Sequence, residues 1–233
     1  MAPWILPSLR QKPETHLYRL YYSPGACSLA VRIVLEEIAL PYKAELRSAS
    51  NGDGTTTPEY LALNPKGRVP ALDGVPGSAG GAPHLLTEAP AILYFLANNH
   101  PDAELLPTDL AGQARCLEWT NWLSGTLHAI GYGQLWRPQR FVADVALYSA
   151  VRSKGLLNIQ DAHDYIDRVL SDGRDWAVPG HYTIADAYLT VFWLWGLEVG
   201  FDMETKWPLW TRLMHKVLAR PAVKRALALE GLR

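Results

Sequence analysis

Apolar and polar positions follow two rhythms along this chain, and the rhythm changes near residue 100. Leu17-Tyr18-Arg19-Leu20-Tyr21-Tyr22 is short, aromatic-rich and bounded by Ser23-Pro24-Gly25, which predicts a strand ending in a turn. Leu29, Ile33 and Ile38 then share a helical stripe with Leu35, while Arg32, Glu36 and Glu37 face away. Pro41 stops that helix, and Tyr42-Lys43-Ala44-Glu45-Leu46 alternates as a second strand. A β-α-β unit of this kind implies a parallel pair joined by a right-handed crossover. The stretch 48–57, rich in Ser, Gly, Asn and Thr, predicts a loop. Val69-Pro70-Ala71-Leu72-Asp73 and His84-Leu85-Leu86 predict two more strands, joined by a long connection rather than a tight turn. Ile92, Leu93, Phe95 and Leu96 mark a helix within 88–99.

Beyond His100-Pro101-Asp102 and Leu106-Pro107-Thr108 the strand signals vanish. Residues 111–135, 141–170, 183–199 and 208–220 carry helical periodicity, and a short helix follows Pro221. Thr183-Ile184-Ala185-Asp186 has capping-box spacing, with Asp in place of Glu. Residues 1–16, with Pro3, Pro7 and Pro13, show neither period and read as an extension. The expected fold class is therefore α+β with two domains. A thioredoxin-like α/β domain spans 17–99, a linker 100–110, and an all-helical domain 111–233.

Composition narrows the function classes. Twenty-two basic side chains against 23 acidic ones leave a formal charge of −1, which offers no pull toward nucleic acid or anionic lipid. Two cysteines cannot build a disulfide framework or a four-thiolate zinc site, and the seven histidines show no metal-ligand spacing. The longest apolar run, 187–197, falls short of the ~20 residues that span a bilayer. The opening residues place their cations after the apolar positions, the wrong order for a signal peptide. The expectation is a soluble cytoplasmic protein with no metal, nucleic-acid or membrane partner.

Chemistry can sit at a few places. Cys27 lies at the junction of the first strand and first helix, where the positive helix end favours a thiolate. Ala30 stands where a dithiol motif would place its second cysteine, so Cys27 would act alone; cysteine is equally often a small buried hydrophobe. At Val69-Pro70, a cis bond would turn the Val69 backbone outward to pair with a peptide ligand, whereas a trans proline would merely begin an edge strand. Thr87 suits an N-cap and Pro90 a first turn. Glu88 between them is either a surface carboxylate or the counter-charge to a ligand's α-amino group, with neighbouring N–H groups for its carboxylate. Asn121, Gly125 and His128 share a helix face, where histidine is more often a packing residue than a catalytic one. Trp193 and Trp195, two apart, point to different faces, so at most one lines a pocket.

In order, these runs resemble the cytosolic glutathione transferase superfamily, most closely its bacterial beta class. The matching segments begin with Leu20-Tyr21-Tyr22-Ser23-Pro24-Gly25-Ala26-Cys27-Ser28-Leu29, Asn64-Pro65-Lys66-Gly67-Arg68-Val69-Pro70-Ala71-Leu72 and Leu85-Leu86-Thr87-Glu88. They continue with 118–128, Thr183-Ile184-Ala185-Asp186-Ala187-Tyr188-Leu189 and the tail from Arg220-Pro221 to Glu230-Gly231-Leu232.

The resemblance implies a homodimeric enzyme that joins glutathione, its co-substrate, to small hydrophobic electrophiles in detoxification. Alternatives are a glutathione-dependent thiol–disulfide oxidoreductase and a non-catalytic ligandin. It implies that Cys27 holds or bonds the glutathione thiol, that Ser28 and Tyr22 are hydroxyl alternatives for activating it, and that Val69 pairs with its backbone beside a cis Pro70. Glu88 would bind the γ-glutamyl end, aided by the Ala89 backbone N–H; Asn121 and His128 would approach the peptide or Cys27, and Trp195 the electrophile. Ala89, Ala129 and the lysine-free 48–57 loop depart from the family pattern by removing a hydroxyl and two cations. The extension before Leu17 and the 74–83 connection are additions to it.

Overall fold

Leu20 and Leu72 point to one side of a pleated pair while Tyr21 and Ala71 point to the other, and all four are buried. This two-sided burial identifies their strands as the middle of a sheet. The structure is a computed structural model that describes residues 17–49, 54–77 and 81–232. The expected extension 1–16 lies outside the described residues, as do parts of the 48–57 and 74–83 loops.

Among the described residues, four strands form one sheet in the order β2-β1-β3-β4. β1 (Arg19–Tyr22) pairs in parallel with β2 (Lys43–Leu46), and helix α1 (Ser28–Ile38) makes the expected crossover. β3 (Ala71–Val75) is antiparallel to β1 and to β4 (His84–Thr87). Helices α1 and α3 (Ala89–Asn99) pack together, their Leu29, Ile33, Ile92 and Leu96 joining Leu20 and Leu72 in the main core. A helix with no periodic signal, α2 (Pro58–Leu63), covers the other side by burying Tyr60 against Tyr21 and Ala71. Its start is set locally, since Thr57 Oγ1 accepts from Tyr60 N at 3.2 Å and Pro58 occupies the first turn.

After residue 100 the described elements are all helical. The run expected at 111–135 consists of α4 (Leu110–Trp122), a π-helical segment Leu123–Tyr132, and α5 (Gly133–Trp136). The helix expected from residue 141 starts later, as α6 (Tyr148–Val169), after short 3₁₀ turns at Pro138–Arg140 and Val145–Leu147. Its Gly155 is required by close approach: a Cβ there would lie 2.8 Å from Leu135 N. α7 (Ile184–Val199) is apolar almost all round because it is the central post, touching α1, α4 and α9. Thr183 Oγ1 accepts from Ala185 N at 3.3 Å, and the Asp186 carboxylate accepts from Thr183 N and Ala177 N at 2.8 Å each. The expected capping box thus also staples the loop before α7. α8 (Met203–Lys206), α9 (Pro208–Ala219) and α10 (Pro221–Leu229) complete the chain, and α10 packs back on α1. The result is a thioredoxin-like α/β domain followed by a helical domain, with one apolar cluster running through both. No described helix is long and apolar enough to cross a membrane.

Candidate active site

The end of β1 is the place where backbone N–H groups, a turn and a helix start converge. Gly25 takes φ +68°, a conformation open to glycine, and so lets the chain turn sharply into α1. Cys27 is the N-cap of α1. Across from it stand the π-helical segment and α7, and between the two walls lies a cleft of about 970 Å³. Cys27, Val69, His128 and Trp195, singled out from sequence, all line it. Trp193 instead turns into the core and donates its indole N–H to Thr211 Oγ1 at 3.2 Å.

The Gly25 peptide is held at both ends by the helical half. Trp195 Nε1 donates to Gly25 O at 2.7 Å, and Gly25 N donates to Glu230 Oε2 at 2.9 Å. The other Glu230 oxygen accepts from Arg32 Nε at 2.9 Å, and both side chains of this ion pair are almost wholly buried. Burial pushes the Glu230 carboxyl up, while the Gly25 N–H and the Arg32 cation pull it back. Arg32 also lies over the Tyr22 ring, 4.1 Å from its centroid.

The Cys27 environment corrects the expected thiolate. Burial pushes the thiol up to about 12; the N–H groups at the helix start favour the anion but are outweighed, and Glu88 adds to the rise. Its Sγ–H donates to Val69 O at 3.5 Å. The Val69–Pro70 peptide bond is cis. Ser28 is fully buried, and its hydroxyl both donates to Ser23 O and accepts from Ser23 N, at 3.1 Å each. Neither Ser28 nor Tyr22 lines the cleft.

Glu88 has φ +71°, an uncommon conformation for a residue with a Cβ. Its exposed side chain pairs with Lys66 Nζ at 2.7 Å, and Lys66 also donates to Thr87 Oγ1 at 2.8 Å. The next residue, Ala89, is buried at the start of α3. Glu88, Ala89, Pro70 and Asn121 lie outside the cleft lining, Asn121 being exposed on α4.

The helical wall is aromatic. Trp195 has the rings of His128, Tyr132 and Trp136 around it, with centroids 5.0, 5.0 and 4.9 Å away. Burial, then the Arg68 and Arg140 cations, pull the His128 imidazole down to about 4, so it is neutral at physiological pH. Sequence reading missed Arg68, Arg140 and the role of Glu230. The arginines sit in irregular segments without a period, and Glu230 meets Gly25 across 205 positions.

The two-domain fold has counterparts among known proteins. Residues 25–99 match the family described as glutathione S-transferase, N-terminal domain, and residues 154–221 match glutathione S-transferase, C-terminal domain. Glutathione S-transferase GstA of Escherichia coli O157:H7 is 34% identical over 92% of this chain and 100% of its own. A glutathione transferase homologue from Sulfitobacter, solved with bound glutathione, superposes with a TM-score of 0.82 at 29% identity, covering 94% of this chain and 100% of that one. A beta-class glutathione S-transferase from Sphingomonas chungbukensis gives a TM-score of 0.73 at 29% identity, covering 92% of this chain and 100% of that one. By domain matches, whole-length identity and fold, the chain belongs to the glutathione S-transferase family.

Proposed function

We propose that this protein is a cytoplasmic, homodimeric glutathione transferase of the beta class that joins glutathione to small electrophiles in detoxification. The observation that carries the reading is the placement of Cys27 beside the Val69 carbonyl in a cleft walled on its far side by aromatic rings. A peptide laid along Val69 would replace the weak S–H bond to its carbonyl with a stronger N–H bond. That exchange frees the Cys27 S–H to donate to the peptide's sulfur. Because Cys27 itself is pushed up to about 12, it keeps its proton and stabilises the glutathione thiolate as a donor. The N–H groups at the start of α1 act in the same sense. Glu88 would take the γ-glutamyl ammonium, which competes with Lys66 for its carboxylate, and the Ala89 N–H would take the α-carboxylate. Asn121 and His128 are positioning residues in this reading, and Trp195 packs against the electrophile.

A glutathione-dependent thiol–disulfide oxidoreductase is the second reading. It is favoured by the cleft thiol of Cys27 having no cysteine beside it, Cys116 being fully buried elsewhere in the core. Parallel assays separate the readings: glutathione with a chlorodinitrobenzene, and glutathione with a small mixed disulfide. Conjugation faster than reduction, and diminished in Cys27→Ala, is the expected result. Reduction alone establishes the second reading, and undiminished rates in Cys27→Ala remove Cys27 from both.

A further inference from the structure

Three guanidiniums meet the aromatic wall in the cleft. Arg68 comes from the segment before Val69, and Arg137 and Arg140 from the turn after α5; Glu198 is the sole carboxylate among the described lining residues. Arg68 and Arg140 make no ion pair among the described residues, whereas Arg19, Arg32, Arg47, Arg115, Arg174, Arg220 and Arg225 each face a carboxylate; Arg152, Arg168 and Arg212 also make none. Arg137 is aimed by its backbone partners, donating from Nη2 to Ala49 O at 3.1 Å and from Nη1 to Trp136 O at 3.3 Å. The like charges act on one another: burial, then Arg68 and Arg137, hold the Arg140 guanidinium below its ordinary value. Arg68 and Arg140 line the same cleft as the rings of His128, Trp136 and Trp195.

We propose that Arg68, Arg137 and Arg140 form a carboxylate-binding subsite, so that the electrophiles preferred here are aromatic rings bearing a carboxylate. The inference rests on the transferase reading and names the substrate class for the same cleft. An anion held by guanidiniums of this cleft gains charge-assisted hydrogen bonds in a forked geometry that ammonium groups do not offer. Its flat ring would lie against Trp136 and Trp195, whose centroids are 4.9 Å apart at an interplanar angle of 76°, an arrangement that presents both a face and an edge. Two of the three arginines stand on the turn that follows α5, the helix that carries Trp136.

The test compares a chlorodinitrobenzoate with the matching chlorodinitrobenzamide, both with saturating glutathione. In each reaction the glutathione sulfur bonds to the ring carbon, chloride leaves with the C–Cl electron pair, and the thiol proton passes to solvent. The expected KM for the benzoate is at least roughly ten-fold below that for the amide, a factor worth about 1.4 kcal/mol. Arg140→Gln should lower the benzoate-to-amide ratio of kcat/KM several-fold, and Arg140→Lys should restore part of it. Equal KM values for the two compounds overturn the proposal. So does an Arg140→Gln variant that raises the KM of glutathione and not of the benzoate, because the cluster would then serve the peptide's glycyl carboxylate. If neither compound is turned over, the transferase reading fails, and calorimetry without glutathione decides the subsite separately. Tighter binding of the benzoate than of the amide supports it, and equal binding overturns it.

Discussion

Replacing Glu230 with glutamine separates the clasp on the Gly25 loop from ordinary tail packing. Each carboxylate oxygen accepts one strong bond at 2.9 Å, from Gly25 N and from Arg32 Nε. Glutamine offers one acceptor oxygen and an NH₂ group, so one of the two donors loses its partner. Arg32, itself buried, also loses its counter-charge. Breaking a buried pair from one side costs about 3 kcal/mol or more. At ~2–4 °C per kcal/mol for a chain of this size, the melting temperature should fall by roughly 6–12 °C. The double variant Arg32→Met/Glu230→Met should recover much of that loss, because it leaves no charge buried alone. Thermal unfolding followed by circular dichroism reads both numbers. A drop under ~2 °C for Glu230→Gln, or no recovery in the double variant, would refute the assignment of this pair as the anchor of the loop.

Other consequences follow from buried groups and caps. With Cys27 pushed up to about 12, its alkylation by iodoacetamide at pH 7.5, followed by mass spectrometry, should be at least about 100-fold slower than for free cysteine; a rate matching free cysteine contradicts the protonated thiol. Burial holds the His163 imidazole at about 3, well below its unfolded value, so stability is full above roughly pH 6.5 and is lost as pH falls toward 3. His163→Leu should flatten part of that acid loss, the remainder including His128, and an unchanged slope of urea midpoint against pH counts against it. Thr183→Ala should cost about 1–2 kcal/mol through loss of the α7 cap while Thr183→Ser stays near wild type, and equal urea midpoints for all three would show that the cap is dispensable.

Much of the fold was legible because its elements are bounded by chemistry that acts locally. Ser23-Pro24-Gly25 and Pro41 delimit the first crossover helix, and the Thr183–Asp186 spacing marks the start of α7. α2 escaped notice because a six-residue helix completes too few turns to show a stripe, although Thr57-Pro58 carried its cap signal. The break of the long helix into α4, a π-helical segment and α5 has no counterpart in the periodicity. It accompanies the close crossing at Gly155, a tertiary event.

At the site, residue types predicted place better than state. The turn before α1 placed Cys27 at the helix start, but its burial depends on Val69 and the helical wall arriving from 42 and more positions away. That burial reverses the protonation expected from the helix end alone. Ser28 and Tyr22 illustrate the same limit. Tyr22 ends β1 and Ser28 begins α1, yet Ser28 closes on Ser23 and Tyr22 lies under Arg32, directions that only packing sets.

In the proposed complex glutathione binds with its sulfur at Cys27 and its backbone along Val69. A crystal structure of the protein soaked with glutathione tests it most directly. Expected there are the peptide sulfur within hydrogen-bonding or bonding reach of Cys27 Sγ, the cysteinyl N–H on Val69 O, and the γ-glutamyl ammonium on Glu88. Glutathione bound with its sulfur away from Cys27, or a cleft that stays empty at saturating glutathione, would contradict it.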